Sequence, residues 1–196
     1  MLGGLVACSG PPSSTTTPGR AATGSADDGA VQSATPSVAP NRPLTIAFAG
    51  DVHFEDRTRP YLTDAAPLVA ALRPLAEADL GILNLETALT ERGTPEPKQF
   101  HFRAPASALA VIDQAGVDAV SLANNHAVDY GPVGLQDTLA AIEASPIPVV
   151  GVGADAEQAY RPAILTARGH TVALIGATQI HDRTLAAHSA GPDKAG

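Results

Sequence analysis

The sequence has little of what marks a disulfide-stapled, nucleic-acid-binding or membrane-spanning protein. Its 196 residues include one cysteine and no tryptophan, and 4% are aromatic. A single cysteine excludes an intrachain disulfide, and the core must be built mainly from Ala, Val, Leu and Ile. Lys and Arg number 12 against 20 Asp and Glu, a net charge of -8, which argues against the basic face of a nucleic-acid-binding protein. No run approaches the roughly twenty apolar residues of a membrane helix.

The N-terminal region indicates export. Leu5-Val6-Ala7-Cys8 resembles the lipobox of bacterial lipoproteins, which implies cleavage before Cys8 and lipid attachment to its sulfur. Too few residues precede Cys8 for a whole signal sequence, so we expect residues 1–8 to be its end, with a coincidental match as the alternative. Residues 9–43, rich in Ser, Thr, Pro, Gly and Ala, predict a disordered tether. We therefore expect a lipid-anchored protein on the cell-surface side of the plasma membrane.

From Leu44 onward, alternating strand and helix patterns predict one α/β domain, over residues 44–196, with a largely parallel sheet. Leucines and isoleucines at helical spacing predict helices after Asp64, Pro105 and Pro132, the second ended by Gly116. Apolar runs predict strands at residues 44–49, 80–85, 117–122 and 147–152, with an irregular loop at 91–104 and a hairpin at 163–175.

Three polar clusters directly follow the first three predicted strands. Because the C-terminal ends of parallel strands meet at one edge of a sheet, side chains far apart in sequence are expected to lie together there. Carboxylate, amide and imidazole groups suit one or two divalent metals, so this edge predicts a metal-dependent hydrolytic site. The clusters are Gly50-Asp51-Val52-His53, Asn84-Leu85-Glu86 and Asn124-Asn125-His126.

The first two clusters offer acidic and imidazole ligands. If the chain stays extended, Asp51 and His53 share one face and can hold one metal; the alternative is a turn-capping Asp and a merely polar His. The charge of Glu86 follows an apolar strand and cannot be buried without a partner. That partner is either a metal or an arginine such as Arg73 or Arg103.

The third cluster is the most specific of the three. Asn125 offers a neutral carbonyl oxygen to a metal, and His126 can give or take a proton near a substrate. The alternative is a plain Asn-rich turn with an exposed histidine. Asn84 and Asn124 are expected to support the site loops through side-chain hydrogen bonds.

Together, the three clusters identify a family. The segments Ala49–His53, Asn84–Thr87 and Ala123–Gly131 resemble the CapA family, the capsule or poly-γ-glutamate biosynthesis group of the calcineurin-like metallophosphoesterase superfamily. The resemblance covers residues 44–180 and implies the superfamily's α/β fold, a layered β-sheet with flanking helices.

The resemblance also implies roles for five residues. It makes Asp51, His53, Glu86 and Asn125 ligands of one or two divalent ions of the Mn, Fe, Zn or Mg type. It makes His126 the residue that stabilises or protonates the reacting group. Glu86 stands where the superfamily usually has Asp.

The chain departs from the family pattern downstream. The superfamily completes its site with later histidines, in a His-Trp-Gly type segment and then a Gly-His segment, and neither occurs here. His170, His181 and His188 lack that context. We therefore expect a CapA-like fold that is incomplete at its C-terminus.

Three functions follow as hypotheses. The first is a metal-dependent hydrolase of capsule or poly-γ-glutamate biosynthesis, acting on a phosphoester or on the polymer's amide. The second is a non-catalytic, lipid-anchored assembly or export factor for an anionic surface polymer. The third is an inactive fragment. The expected partners are the polymer or the membrane complex that makes it, the membrane itself through the lipid anchor, and no nucleic acid.

Overall fold

The computed structural model describes residues 43–180 and 182–196. The lipobox at Cys8, nearly all of the predicted tether and His181 lie outside the described residues. Within them, no helix combines the length and apolar character needed to cross a bilayer.

Strands and helices alternate along the described chain. Its first part contains β1 (Ile46–Val52), a 3-10 helix (Asp56–Leu62), α1 (Ala66–Ala76), β2 (Leu80–Leu85) and β3 (Ala88–Leu89). Its second part contains β4 (Arg103–Ala104), α2 (Ala108–Gln114), β5 (Ala119–Ser121), α3 (Gly131–Glu143), β6 (Val149–Val150), α4 (Ala156–Ala159), β7 (Ala163–Ala167), β8 (His170–Leu174) and α5 (Arg183–His188).

A four-stranded parallel sheet in the order β1-β2-β5-β6 forms the centre of the fold. Strands β3 and β4 form a short parallel pair, and β7 and β8 form an antiparallel hairpin. This arrangement confirms the predicted α/β class, the mainly parallel sheet and the hairpin. It also places the C-terminal ends of β1, β2 and β5 beside one another.

Helix α1 covers one face of the sheet because its leucines recur at helical spacing. Leu68, Leu72 and Leu75 are buried, as the sequence predicts. One detail differs from the prediction that the helix begins after Asp64. The N-cap residue is Ala65 rather than Asp64, although an Asp64 carboxylate oxygen accepts the Ala66 N–H at 3.1 Å.

The opposite face of the sheet packs against the β7–β8 hairpin. Leu165 of the hairpin lies in a buried cluster with Leu80, Ile82 and Ala119 of the sheet. Two-sided coverage explains why residues 80–83 of β2 are a continuous apolar run, since a central parallel strand is buried on both faces.

Strand β1 departs most from its prediction. It begins at Ile46, continues through Gly50 to Val52, and shifts register between Ala49 and Asp51. Asp51 therefore lies within the strand rather than after it. The strand is also at the sheet edge with Phe48 68% exposed, whereas an apolar run of this kind is typical of a buried parallel strand, and that interpretation of residues 44–49 was wrong.

The boundaries of other helices and strands differ from their predicted positions by a few residues. Helix α2 starts at Ala108, three residues after Pro105, and the predicted terminator Gly116 has φ +79°, the left-handed conformation that glycine adopts at a helix end. Strands β5 and β6 are shorter than their apolar runs, and the predicted loop at 91–104 contains the two residues of β4.

Candidate functional site

Strand pairing brings the three polar clusters to one edge of the sheet, called the rim below. Asp51 of β1 stands in register with Asn84 of β2, and Asn84 with Ser121 of β5. The turn that carries Asn124, Asn125 and His126 leaves the sheet just after Ser121. The adjacency expected from the sequence is therefore a consequence of parallel register.

A relay of side-chain amides joins the clusters. Asn84 Nδ2 donates to Asp51 Oδ1 at 2.7 Å, and Asn124 Nδ2 contacts Asn84 Oδ1 at 3.0 Å and the Leu85 carbonyl at 2.9 Å. Asn124 Oδ1 in turn accepts the His126 backbone N–H at 2.9 Å. The two asparagines predicted as loop supports thus connect the first cluster to the third.

His126 is oriented by a buried carboxylate. Its Nδ1 lies 2.6 Å from Oδ2 of Asp129, which is fully buried and also accepts the Phe102 backbone N–H at 2.7 Å. Because a carboxylate only accepts hydrogen bonds, Nδ1 carries the proton. His126 Nε2 is left facing the rim, 3.9 Å from Glu86 Oε1.

Lys98 stabilises this arrangement from beneath. Its ammonium lies 2.7 Å from Asp129 Oδ1, as an ion pair rather than a well-directed hydrogen bond. It also donates to the Asn125 carbonyl oxygen at 2.6 Å and lies 3.4 Å from Asp182 Oδ2. With its side chain 12% exposed, Lys98 ties its loop to the turn. The Asn125 side-chain amide makes no hydrogen bond to any described residue and remains available as a ligand.

Phe102 separates the two imidazoles of the rim. His53 stacks on it with ring centroids 4.3 Å apart and planes 10° from parallel, and His126 stacks on it at 4.2 Å and 24°. His53 Nδ1 also accepts the Glu55 backbone N–H at 3.3 Å, a long contact that is easily given up. One phenyl ring therefore fixes the direction of both histidines.

Burial and the charges at the rim change the pKa of the Glu86 carboxyl. Burial, followed by the nearby charge of Asp51, raises the pKa of the Glu86 carboxyl above its ordinary value, and Asp129 adds to the rise. His126 and His53 oppose it. Neither arginine that was the alternative partner is within ion-pair distance of Glu86: Arg73 pairs with Glu77 at 2.7 Å, and the Arg103 guanidinium lies over Tyr130.

This donor set suits a divalent cation. Two carboxylates, an imidazole and an uncommitted amide are ordinary ligands of such ions, and a cation would relieve the repulsion that Asp51 exerts on Glu86. Within residues 43–180 and 182–196, no three His, Cys, Asp or Glu side chains have already converged on one metal position. The ligands would have to close around the ion as it binds.

Glu86→Gln is expected to stabilise the metal-free protein at neutral pH. A raised folded-state pKa means that ionising Glu86 costs more in the folded protein than in the unfolded chain. The penalty is absent below the ordinary pKa of 4.5 and complete above the raised folded value. The variant should gain less than about 1 kcal/mol at pH 7, because the carboxylate is partly screened by solvent, and nothing below about pH 4.

Urea unfolding between pH 4 and pH 8 measures this gain. Glu91→Gln, at an exposed glutamate outside the rim, is the control and should show no such pH-dependent difference from wild type. A Glu86→Gln variant less stable than wild type throughout that range would mean that the carboxylate is stabilising rather than strained.

Two further histidines lie outside the three motifs. His170 opens strand β8 in the hairpin. His188 Nε2 lies 3.0 Å from Glu96 Oε1, and its own chain position is at the end of α5.

Sequence reasoning missed three residues that support the site. Asp129 is inside the motif that resembles the CapA family, but its spacing of three residues from His126 did not identify it as the partner of that histidine. Lys98 and Phe102 lie in the segment predicted as an irregular loop, where no periodicity signals a buried contact. The only sequence signal for these two residues is that an aromatic residue and a lysine stand between prolines. Neither residue type indicates which side chain it contacts.

Comparison with known proteins identifies relatives of the chain. Residues 45–195 match the family model described as bacterial capsule synthesis protein PGA_cap, a family within a metal-dependent superfamily with an α/β fold. A probable polyglutamine synthesis accessory protein of Mycobacterium tuberculosis (strain H37Rv) is 37% identical over 93 residues, which cover 47% of this chain and 24% of the relative.

Two relatives from Bacillus are similar over comparable lengths. The capsule biosynthesis protein CapA of Bacillus anthracis is 31% identical over 81 residues, covering 41% of this chain and 20% of the relative. The PGA biosynthesis protein CapA of Bacillus subtilis (strain 168) is 28% identical over 96 residues, covering 48% and 25%. The matched segments span a quarter or less of these relatives' own lengths.

Proposed function

This chain belongs to the bacterial capsule synthesis protein family PGA_cap, and we propose that it is a divalent-metal-dependent hydrolase acting in the biosynthesis of an anionic surface polymer. The bond cleaved is a phosphoester or an amide of the polymer. The observation that supports this proposal best is that Asp51, His53, Glu86 and the His126–Asp129 pair are neighbours at one rim, although they do not yet enclose a metal position.

The metal-holding role falls to the side chains with available oxygen or nitrogen donors. Asp51 and Glu86 supply carboxylates, His53 an imidazole and Asn125 an amide oxygen, for one or two ions of the Mn, Fe, Zn or Mg type. When bound, such ions lower the pKa of a coordinated water and polarise the scissile group.

Proton transfer falls to His126. With Nδ1 held as a donor to Asp129, only Nε2 can exchange a proton with a substrate group at the rim. The Lys98 ammonium balances the buried charge of Asp129, so the pair remains stable without solvent. Stacking on Phe102 restricts rotation of the imidazole and keeps Nε2 directed at the reacting group.

The cellular setting is also part of the proposal. Lipid attachment at Cys8 would place the rim on the outer side of the plasma membrane, beside the growing polymer and the membrane complex that makes it. The names of the Mycobacterium and Bacillus relatives support a role in the synthesis of such a polymer. The net charge of -8 supports a partner other than nucleic acid.

Hydrolysis of a generic phosphodiester with and without added Mn²⁺ tests the catalytic role. The wild-type protein should show a metal-stimulated rate, and Asp51→Ala should lower it at least about tenfold because a ligand is lost. Asp64→Ala, at an exposed aspartate outside the rim, is the matched control. Equal metal-stimulated rates in all three proteins would refute the assignment of Asp51.

A non-catalytic assembly role is the second candidate. The observation that favours it is that no three acidic, histidine or cysteine side chains among the described residues have converged on a metal position. In a capsule-deficient deletion strain, restoration of the polymer by Asp51→Ala as fully as by wild type would favour assembly over catalysis.

A further inference from the structure

A groove on the flank of the rim has features of a binding site for a carboxylate. It encloses about 450 Å³ and shares Phe102 with the rim, so a ligand lying in it would extend directly towards His53 and His126. Its walls come from the segment after β1, the strand β4 segment and the start of α3. The lining residues used below are Glu55, Asp56, Arg59, Arg103 and Tyr130.

Arg103 is the principal cation of the groove. Its guanidinium carbon lies 4.6 Å from the centre of the Tyr130 ring, an arrangement that attracts the cation without using an oxygen acceptor. Among the described residues no carboxylate lies within ion-pair distance of Arg103, and its side-chain N–H groups have no hydrogen-bond acceptor. A guanidinium fixed in this way is prepared for two parallel hydrogen bonds to a carboxylate.

The acidic residues in the groove do not neutralise Arg103. Glu55 uses one carboxylate oxygen to accept the Arg103 backbone N–H at 3.2 Å and the other to pair with Arg59 at 3.6 Å. Asp56 is exposed and faces water. Its charge would weaken non-specific attraction of anions, so that recognition depends on the directed donors of Arg103.

Arg59 supplies a second cation at the mouth of the groove. Its side chain is 68% exposed and its contact with Glu55 is long, so the pair is weak and easily exchanged for a ligand carboxylate. Arg59 and Arg103 also line a smaller adjacent cavity of about 120 Å³. Two arginines along one groove suit a chain that carries carboxylates at intervals.

We infer that this groove binds the carboxylates of an extended anionic polymer and guides the polymer to the rim, with Arg103 as the main contact and Arg59 as the second. The inference rests on the proposed function for the identity of the polymer. The groove itself requires only a carboxylate-bearing chain, and its contacts do not involve a metal.

Binding of a short γ-linked glutamate oligomer in the presence of EDTA tests the inference. Isothermal titration calorimetry of the wild-type protein with the oligomer should show saturable binding, and the affinity should fall with added salt. Arg103→Gln should weaken it about tenfold or more, since a charge-assisted bidentate contact is lost. Arg103→Lys should restore only part of the affinity, because a lysine cannot form the planar two-point contact.

Controls separate this result from misfolding and from failure of the metal site. Arg59→Gln, at an exposed residue, should weaken binding a few-fold, while Arg161→Gln, which breaks an exposed pair with Glu157, should leave it unchanged. The same oligomer with its carboxylates amidated should not bind. Arg103→Gln should keep the wild-type affinity for Mn²⁺.

The inference is overturned if the wild-type protein does not bind the oligomer, if it binds the amidated form equally well, or if Arg103→Gln and Arg161→Gln have the same affinity. The wild-type protein could also bind the oligomer through Arg103 and yet bind no Mn²⁺ or hydrolyse no substrate. That result would count against the proposed hydrolase but would support the assignment of the groove.

Discussion

Asp129→Ala is expected to destabilise the protein by about 3–5 kcal/mol, the cost of leaving one member of a buried ion pair without the other. Asp129 is fully buried and lies 2.7 Å from the Lys98 ammonium. Its other oxygen accepts from His126 and from the Phe102 backbone. Alanine would leave the His126 imidazole and the Phe102 backbone N–H without this acceptor and would remove the nearer of the two carboxylates that face Lys98.

Urea unfolding monitored by circular dichroism measures this loss. Asp113→Ala, at an exposed aspartate of α2, is the control and should change stability by no more than about 0.5 kcal/mol. Asp129→Asn should fall between the two, since an amide oxygen still accepts a hydrogen bond but no longer balances Lys98. An Asp129→Ala variant as stable as Asp113→Ala would show that the buried carboxylate does not stabilise the turn.

His126→Gln is expected to lower kcat for a metal-stimulated hydrolysis by about 10²- to 10⁴-fold, the usual contribution of a positioned acid or base. The glutamine keeps much of the volume of the side chain and its contact with Phe102. Because Nε2 faces the rim rather than forming part of the ligand set, affinity for Mn²⁺ should change little. Steady-state kinetics and metal titration on the same preparation separate the two effects.

His170→Gln, in the hairpin, is the matched control for the loss of an imidazole. It should retain the wild-type rate. If His126→Gln and His170→Gln hydrolyse the substrate equally fast, His126 does not transfer a proton in the rate-limiting step.

The sequence predicted the elements whose signals are local. All residues of β2 except Asn84 are apolar because both faces of the strand are covered, and its predicted bounds are correct. The leucines of α1 recur at helical spacing because one side faces the sheet. Gly116 ends its helix region with the positive φ that the sequence predicted for a terminator.

The predicted strand boundaries were wrong where a residue is buried but its backbone is not paired within a sheet. Val117 is buried at 2% exposure yet lies outside β5, because a side chain can enter the core without its backbone joining a sheet. Gly50 resembled a strand end but lies inside β1 at a register shift. A glycine marks such an irregularity as readily as a turn.

The rim was predictable because parallel strands bring their ends together whatever lies between them. Its supporting residues were not, because their contacts cross long stretches of chain. Lys98 contacts the turn at Asn125, and Phe102 reaches both His53 and His126. Such contacts depend on how a loop folds back on the sheet, which no periodicity in residues 91–104 encodes.

Titration of Mn²⁺ into the EDTA-treated and dialysed protein is the most direct test of a shared metal site at the rim. Saturable binding should occur in the wild-type protein and in the control variant Glu157→Ala. The Glu157 side chain is exposed and lies far along the sequence from the rim residues. Affinity should fall at least about tenfold in both Asp51→Ala and Glu86→Ala. No saturable binding, or the same affinity in all four proteins, would contradict a metal held jointly by Asp51 and Glu86.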